Sequence, residues 1–305
     1  YTITGWGTSA SATTAAVKVS TSVSLTANVT YYAITSKVVT VSFSKGANVS
    51  AIGASSGTCT IQNSATSCAV ATPSITANSG YTSVGWSTTN GASSGIAAGS
   101  NITGLTANAT YYANALDKTA PTISISPSSQ STYVSGGKAI TVTIADSGSG
   151  IKAGQNIYYA WSTSSSTTPS YTSYVTSSNA AGAKSTTVTI PASASSSLTG
   201  TYYLWIKAAT ASDVSGNTSS QVKSSAFKYD NTNPSISVST SKSTSTITVV
   251  ATASALSGIS KYEYSKDNGA TWVSNGTSNT YTFTGLTHNT SYNIKVRVTS
   301  GVSRQ

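Results

Sequence analysis

Two cysteines and one histidine are where chemistry would have to begin in this chain. Cys59 and Cys68 bound the segment Cys59-Thr-Ile-Gln-Asn-Ser-Ala-Thr-Ser-Cys68. A zinc site wants four nitrogen, sulfur or oxygen ligands, and the one imidazole, His288, lies far along the chain in Gly285-Leu-Thr-His-Asn-Thr-Ser-Tyr292. Two thiols at this spacing read instead as a short-loop disulfide, which implies an oxidising compartment. Catalysis is poorly supplied. The many serines have no candidate base other than His288, which sits among turn residues. The six carboxylates are spread over 305 residues, whereas glycoside hydrolysis needs two acids flanking one bond. The expectation is no enzyme and no catalytic residue.

Metal binding is disfavoured on similar grounds. Asp146-Ser-Gly-Ser-Gly150 and Asp213-Val-Ser-Gly-Asn217 are acid-containing turns. Calcium takes six to eight oxygens, usually from several acids, so an aspartate capping its own turn is the simpler reading. No metal and no cofactor are expected. A Lys–Asn crosslink would need a helper acid buried beside the pair, and only Glu263, Asp146, Asp213 and Asp267 qualify by position.

Aromatic residues offer a third chemistry. Trp6, Trp86, Trp161, Trp205 and Trp272 read as core, because buried aromatics dominate small sandwiches. The tyrosine pairs Tyr31-Tyr32, Tyr111-Tyr112, Tyr158-Tyr159 and Tyr202-Tyr203 could each offer one face to a glycan, and the first three pairs are the candidate ligand-facing aromatics.

Charge narrows the partners. The chain carries 16 basic and 6 acidic residues, a formal +10, with no Lys/Arg run. Nucleic-acid footprints cluster their charge, so nucleic acid is not an expected partner. A diffuse positive field suits anionic cell-wall polymers or a lipid surface. No apolar run is long enough to span a membrane and no signal peptide opens the chain. With a disulfide implying export, a leader or anchor is expected outside this segment.

The elements that must position these residues are strands. Only 7% of residues are charged, Met is absent and Glu263 is the one glutamate, so helix formers other than Ala are scarce. Val, Ile, Thr and Tyr favour strands, and Gly, Asn, Asp and Ser clusters supply turns. Period-two alternation appears at Tyr203, Trp205 and Lys207, and again at Tyr292, Ile294 and Val296.

A repeat organises the first part of the chain. Tyr1-Thr-Ile-Thr-Gly-Trp6 matches Tyr81-Thr-Ser-Val-Gly-Trp86, and Leu25-Thr-Ala-Asn-Val-Thr-Tyr-Tyr-Ala33 matches Leu105-Thr-Ala-Asn-Ala-Thr-Tyr-Tyr-Ala113. Both share an offset of 80 residues. The second copy has a front half, Val38 to Gly80, that the first lacks. Two parallel linkers follow: Asp117-Lys-Thr-Ala-Pro121 and Asp230-Asn-Thr-Asn-Pro234. Proline stiffens each entry into a strand. After each linker comes a Ser-Gly-Ile, at 149–151 and 257–259.

The 80-residue unit resembles the internalin-type B repeat, or Listeria–Bacteroides repeat, through Gly80-Tyr-Thr-Ser-Val-Gly-Trp86 and the Thr-Ala-Asn-x-Thr-Tyr-Tyr-Ala ending. Residues 118–230 resemble a bacterial immunoglobulin-like domain, with Asp213 and Asn217 in the family's Asp-x-x-Gly-Asn turn. Residues 231–305 resemble a fibronectin type III or related immunoglobulin-like domain through Tyr281-Thr-Phe-Thr-Gly-Leu286, with Tyr292 as the corner tyrosine.

The expectation is therefore an all-β chain of tandem small β-rich modules and immunoglobulin-like sandwiches in an elongated array. Its parts are 1–37, a partial repeat; 38–117, a complete repeat carrying the cysteines; 118–230, an immunoglobulin-like domain; and 231–305, a related domain lacking its last strand. The resemblances imply an extracellular structural stalk or fibre segment of a bacterial surface or pilus-like appendage. Its partners would be other copies or other surface proteins, and glycans or anionic wall polymers. A glycan- or host-binding adhesin, and accessory modules of a wall enzyme, are the alternatives.

Overall fold

The computed structural model describes residues 1–63 and 65–305. They divide into two compact units: Tyr1–Thr119 with Ser147–Ser149, and Ala120–Asp146 with Gly150–Gln305. Among the described residues the one helical element is a 3-10 turn at Ala192–Ser195, and no helix is long and apolar enough to cross a membrane.

The first unit holds β1 (Thr2–Gly7), β2 (Val17–Lys18), β3 (Tyr32–Lys45), β4 (Val49–Ile52), β5 (Ser56–Gln62), β6 (Cys68–Ala71), β7 (Ile75–Ala77), β8 (Thr82–Ser87), β9 (Asn101–Leu105) and β10 (Ala109–Leu116). Its main sheet runs β2-β1-β3-β10-β8, with β5 also on β3; β4-β7 and β6-β9 form two small sheets.

The 80-residue offset holds at the level of register. In the first copy Gly7 faces Tyr32, Trp6 faces Ala33 and Gly5 faces Ile34, with a bulge before Ile3–Thr35. In the second, Ser87 faces Tyr112, Trp86 faces Ala113 and Gly85 faces Asn114, with a bulge before Ser83–Ala115. The Gly-Trp box has a steric cause. Gly85 has φ +108°, and a Cβ there would lie 2.5 Å from the Ile96 carbonyl oxygen. At Gly5 a Cβ would lie 2.7 Å from the Val17 oxygen. A crossing segment is thus hydrogen-bonded close over each glycine, and only glycine leaves room. Strand β3 runs unbroken through the expected boundary at 37/38: its first part closes the first copy, and its second part opens the next.

The second copy's core is closed. Val39, Val41 and Phe43 alternate inward from β3 and meet Ile61, Val70 and Trp86. Phe43 and Trp86 make an edge-on pair at 4.7 Å between centroids, a geometry their ring quadrupoles favour. Cys59 of β5 and Cys68 of β6 are joined by a disulfide, and both pack against this core. Ser64, in the loop they close, lies outside the described residues.

The first copy departs from expectation. Trp86 is fully buried, but Trp6 is 38% exposed and is not core. Trp86 packs edge-on against Phe43 within a closed core, whereas Trp6 lines an open apolar cavity with Val17, Val23, Leu25 and Tyr31.

The second unit continues with β11 (Thr122–Ser126), β12 (Gln130–Val134), β13 (Ile140–Ala145), β14 (Asn156–Ser162), β15 (Ser173–Thr176), β16 (Ser185–Ile190), β17 (Gly200–Ile206), β18 (Val222–Lys223) and β19 (Phe227–Tyr229). Sheets β11-β13-β16 and β12-β19-β17-β14-β15 face each other across Ile140, Val142, Ile144, Ile157, Leu204 and Phe227. The strict alternation of Ile140, Val142 and Ile144 is what sends all three inward.

There follow β20 (Ser235–Lys242), β21 (Ile247–Ser254), β22 (Ile259–Ser265), β23 (Val273–Ser274), β24 (Thr280–Phe283) and β25 (Lys295–Ser300), in sheets β20-β21-β24 and β23-β22-β25. Val249, Ala251, Tyr264 and Phe283 fill this smaller core. Tyr292 packs against it and its hydroxyl oxygen accepts the Thr287 N–H at 2.9 Å. Register is shared between the two sandwiches: Ile125 faces Val142 as Val238 faces Ala251. Ile123 and Ile125 pack against a core that includes Phe227 and Tyr229 of β19. Ile236 and Val238, in contrast, are 43% and 46% exposed.

Candidate functional site

The two features that the sequence shows twice, the linker aspartate and the Ser-Gly-Ile, prove to be partners. In the first unit, Asp117 Oδ2 accepts the Ser149 N–H at 2.6 Å and the Ser149 hydroxyl at 2.7 Å, while Oδ1 accepts the Thr119 N–H at 2.9 Å. In the second unit, Asp230 Oδ2 accepts the Ser257 N–H at 2.9 Å and the Ser257 hydroxyl at 2.6 Å. Oδ1 takes the Thr232 hydroxyl at 3.3 Å. Both aspartates are buried. A buried carboxylate must be matched by donors or it neutralises. For Asp230 burial pushes the pKa up, but the Ser257 and Thr232 bonds outweigh it and hold the carboxyl below the usual aspartate value.

The next residue completes this junction. Asn231 Oδ1 accepts the Gly136 N–H at 2.6 Å and an Arg304 guanidinium N–H at 3.0 Å; its amide Nδ2 donates to the Leu198 oxygen at 2.7 Å. Its backbone N–H reaches Thr199 Oγ1 at 3.1 Å. Within the second unit the linker between the two sandwiches is therefore fastened to both.

The turn acids behave as caps. Asp146 Oδ1 accepts the Gly150 N–H at 2.9 Å, and Asp213 accepts the Asn217 N–H at 2.8 Å and its Nδ2 at 2.6 Å. Glu263 is paired with Arg297 at 2.9 Å and Lys261 at 3.1 Å. The Arg297 bond is the chief reason its pKa is lowered, against the opposing effect of burial. Arg297 also lies 4.4 Å over the Trp272 ring. Asp267 is lowered by hydrogen bonds from Ser265 and Thr271. His288 lines an open cavity of 480 Å³ at one end of the last sandwich, among Ser, Thr and Asn side chains.

The tyrosine pairs divide by strand alternation. Tyr159 is buried in the second core and is not ligand-facing; its neighbour Tyr158 points the other way. Tyr111 packs against the core of the complete repeat, Tyr112 and Tyr31 are half-buried, and Tyr32 is 43% exposed. Tyr158 belongs to a larger outer face. Register places it opposite Tyr174, Ala160 opposite Trp205, Ser162 opposite Tyr203, and Trp205 opposite Lys223. Tyr158 and Tyr174 rings lie 5.3 Å apart, with Lys207 Nζ 5.2 Å from Tyr158. Lys223 Nζ is 5.4 Å from both the Tyr203 and Trp205 rings. Each such contact contributes about 0.5–1 kcal/mol at an exposed site. Tyr174 and Lys223 carry no sequence signal of their own; the Tyr203-x-Trp205-x-Lys207 alternation marks the strand, and Trp205, read as core, is 6% exposed on this side of it.

No family model matches the chain, and no curated protein matches it. Among solved structures it is similar to the fibronectin(III)-like modules of Clostridium thermocellum CbhA. That match has 16% identity and a TM-score of 0.24, over 60% of this chain and 87% of that one. It is also similar to dimeric latent PorU from Porphyromonas gingivalis, with 11% identity and a TM-score of 0.26, over 63% of this chain and 21% of that one. By its own strand order the chain is an all-β protein built from several small sheets.

Proposed function

We propose that residues 1–305 are a non-catalytic structural segment of an extracellular bacterial surface or appendage protein, a stalk of β-modules in series. The observation that carries this reading is the fastened linker: Asp230 grips Ser257 while Asn231 is bonded to Gly136, Leu198 and Arg304. A linker that ties both neighbours suits a part that transmits position or tension rather than one that swings freely. The Cys59–Cys68 disulfide supports an oxidising location. The repeated register supports a chain built by repetition of one β-unit. Few carboxylates are present, and Asp146 and Asp213 are engaged in turn hydrogen bonds, which argues against a catalytic role for this segment. Partners under this reading are further surface modules and anionic wall polymers. The test is antibody labelling of intact producing cells with thiol trapping of the extract. Surface label with no trappable thiol is expected; cytosolic protein with two reactive thiols would overturn the reading.

A second reading is adhesive, and the exposed Tyr174 beside Tyr158 and Lys207 favours it, while Trp205 beneath Lys223 is buried. Aromatic faces beside donors suit the apolar faces and hydroxyls of a glycan. Binding on a glycan array that disappears in Tyr174→Ala supports this reading, and no binding across the array sinks it.

A further inference from the structure

The outer side of sheet β12-β19-β17-β14-β15 follows from the alternation that builds the core beneath it. Ile157 and Tyr159, Leu204 and Ile206, and Phe227 and Tyr229 turn inward. Their neighbours Tyr158, Tyr203, Lys207 and Lys228 therefore turn outward. Three lysines end over rings on this side. Lys207 Nζ lies 5.2 Å from the Tyr158 ring, Lys223 Nζ 5.4 Å from Tyr203, and Lys228 Nζ 5.7 Å from Tyr133. Tyr174, opposite Tyr158 on β15, is 52% exposed. Trp205 acts as a support beneath this face: its indole N–H donates to the Ser164 oxygen at 3.3 Å, and Lys223 lies over its ring.

The charge on this side is uncompensated. The carboxylates of this sandwich are Asp146, Asp213 and Asp230, and all three are buried. Among the described residues the outer side of the sheet therefore presents lysines and rings without a carboxylate. A ring attracts an ammonium but leaves its charge intact, and Lys207 and Lys223 are exposed to an incoming anion. We infer that this face binds an acidic polysaccharide, one whose sugars carry carboxylates. The carboxylates pair with Lys207 and Lys223, and the C–H face of a sugar ring packs on Tyr174 and Tyr158. The rings favour a sugar over a polyphosphate, which offers charge without a face to stack. The inference rests on the adhesive reading and gives it a ligand class.

The test measures binding of the full chain to polygalacturonate and hyaluronate by calorimetry. Methyl-esterified polygalacturonate supplies the same sugar without the charge, and polyphosphate supplies charge without the sugar. The expected result is binding to at least one acidic polymer that weakens as salt is raised, with the ester and polyphosphate at least about tenfold weaker. Lys207→Gln and Tyr174→Ala, both at exposed positions, should each weaken binding about tenfold while leaving the melting temperature unchanged. Lys242→Gln, at an exposed lysine of the last sandwich, should bind like wild type. Equal binding of the ester overturns the inference and leaves the adhesive reading standing. Equal binding of polyphosphate, or an equal loss in Lys242→Gln, overturns it in favour of net charge alone. No binding to either acidic polymer also overturns it, and silence across a neutral glycan array as well removes the adhesive reading.

Discussion

Ser257 sits on the carboxylate of Asp230 through two bonds, its N–H at 2.9 Å and its hydroxyl at 2.6 Å from the same oxygen. Asp117 and Ser149 repeat the arrangement at 2.6 and 2.7 Å. A residue at the head of each linker thus finds a turn 27 or 32 positions later.

Removing the Asp230 carboxylate strands the Ser257 N–H, the Ser257 hydroxyl and the Thr232 hydroxyl. Hydrogen bonds to charged groups contribute roughly 1.5–3 kcal/mol each, with losses that do not simply add. Asp230→Ala should lower the stability of β20–β25 by about 2–4 kcal/mol and Asp230→Asn by less. Residue-resolved hydrogen exchange under denaturant checks this, and equal loss in both variants would contradict it.

The same bonds set a pH dependence. Asp230 is held below the usual aspartate value of 3.8. Its contribution is therefore present above pH 3.8 and is lost as pH falls through the lower folded value. The stability gap between wild type and Asp230→Ala should be constant at neutral pH and close in strong acid. Glu263, lowered by Arg297, should behave in the same direction. Denaturant titrations at pH 7 and pH 2 measure both; a gap unchanged at pH 2 would be inconsistent with the geometry.

Trp6 and Trp86 occupy equivalent repeat positions with unequal surroundings. Trp86→Ala empties a fully buried site and should cost about 3–5 kcal/mol. Trp6→Ala, at a residue 38% exposed, should cost about 1 kcal/mol or less, in line with ordinary surface changes. Chemical denaturation of the two variants settles the ratio, and equal costs would mean that Trp6 is covered in solution.

The sequence disclosed the repeat, the linkers and the cysteine pair, because each is a pattern of residue types at fixed spacing. It disclosed strands through alternation, as at Ile140, Val142 and Ile144. It could not show that Asp117 reaches Ser149, since that pairing depends on where a loop returns in space. Equivalent spacing read Trp6 as core along with Trp86, and burial separates them: Trp86 is fully buried and Trp6 is 38% exposed. Tyr158 and Tyr159 are adjacent letters, and only the register against Ile206 and Tyr174 decides which ring is outside.

The Cys59–Cys68 bond closes a short loop between β5 and β6. Replacing both cysteines by serine should destabilise the complete repeat by about 2–3 kcal/mol, the chain-entropy value for a loop near ten residues. Amide exchange along β5 and β6 reads this out, and an unchanged rate would show the bond to be neutral.

Single-molecule pulling of the whole chain tests the stalk most directly. The account predicts discrete unfolding events under load, with the complete-repeat event lengthening by roughly 25 Å after reduction as the cysteine loop is released. Smooth extension at low force with no discrete events would contradict it.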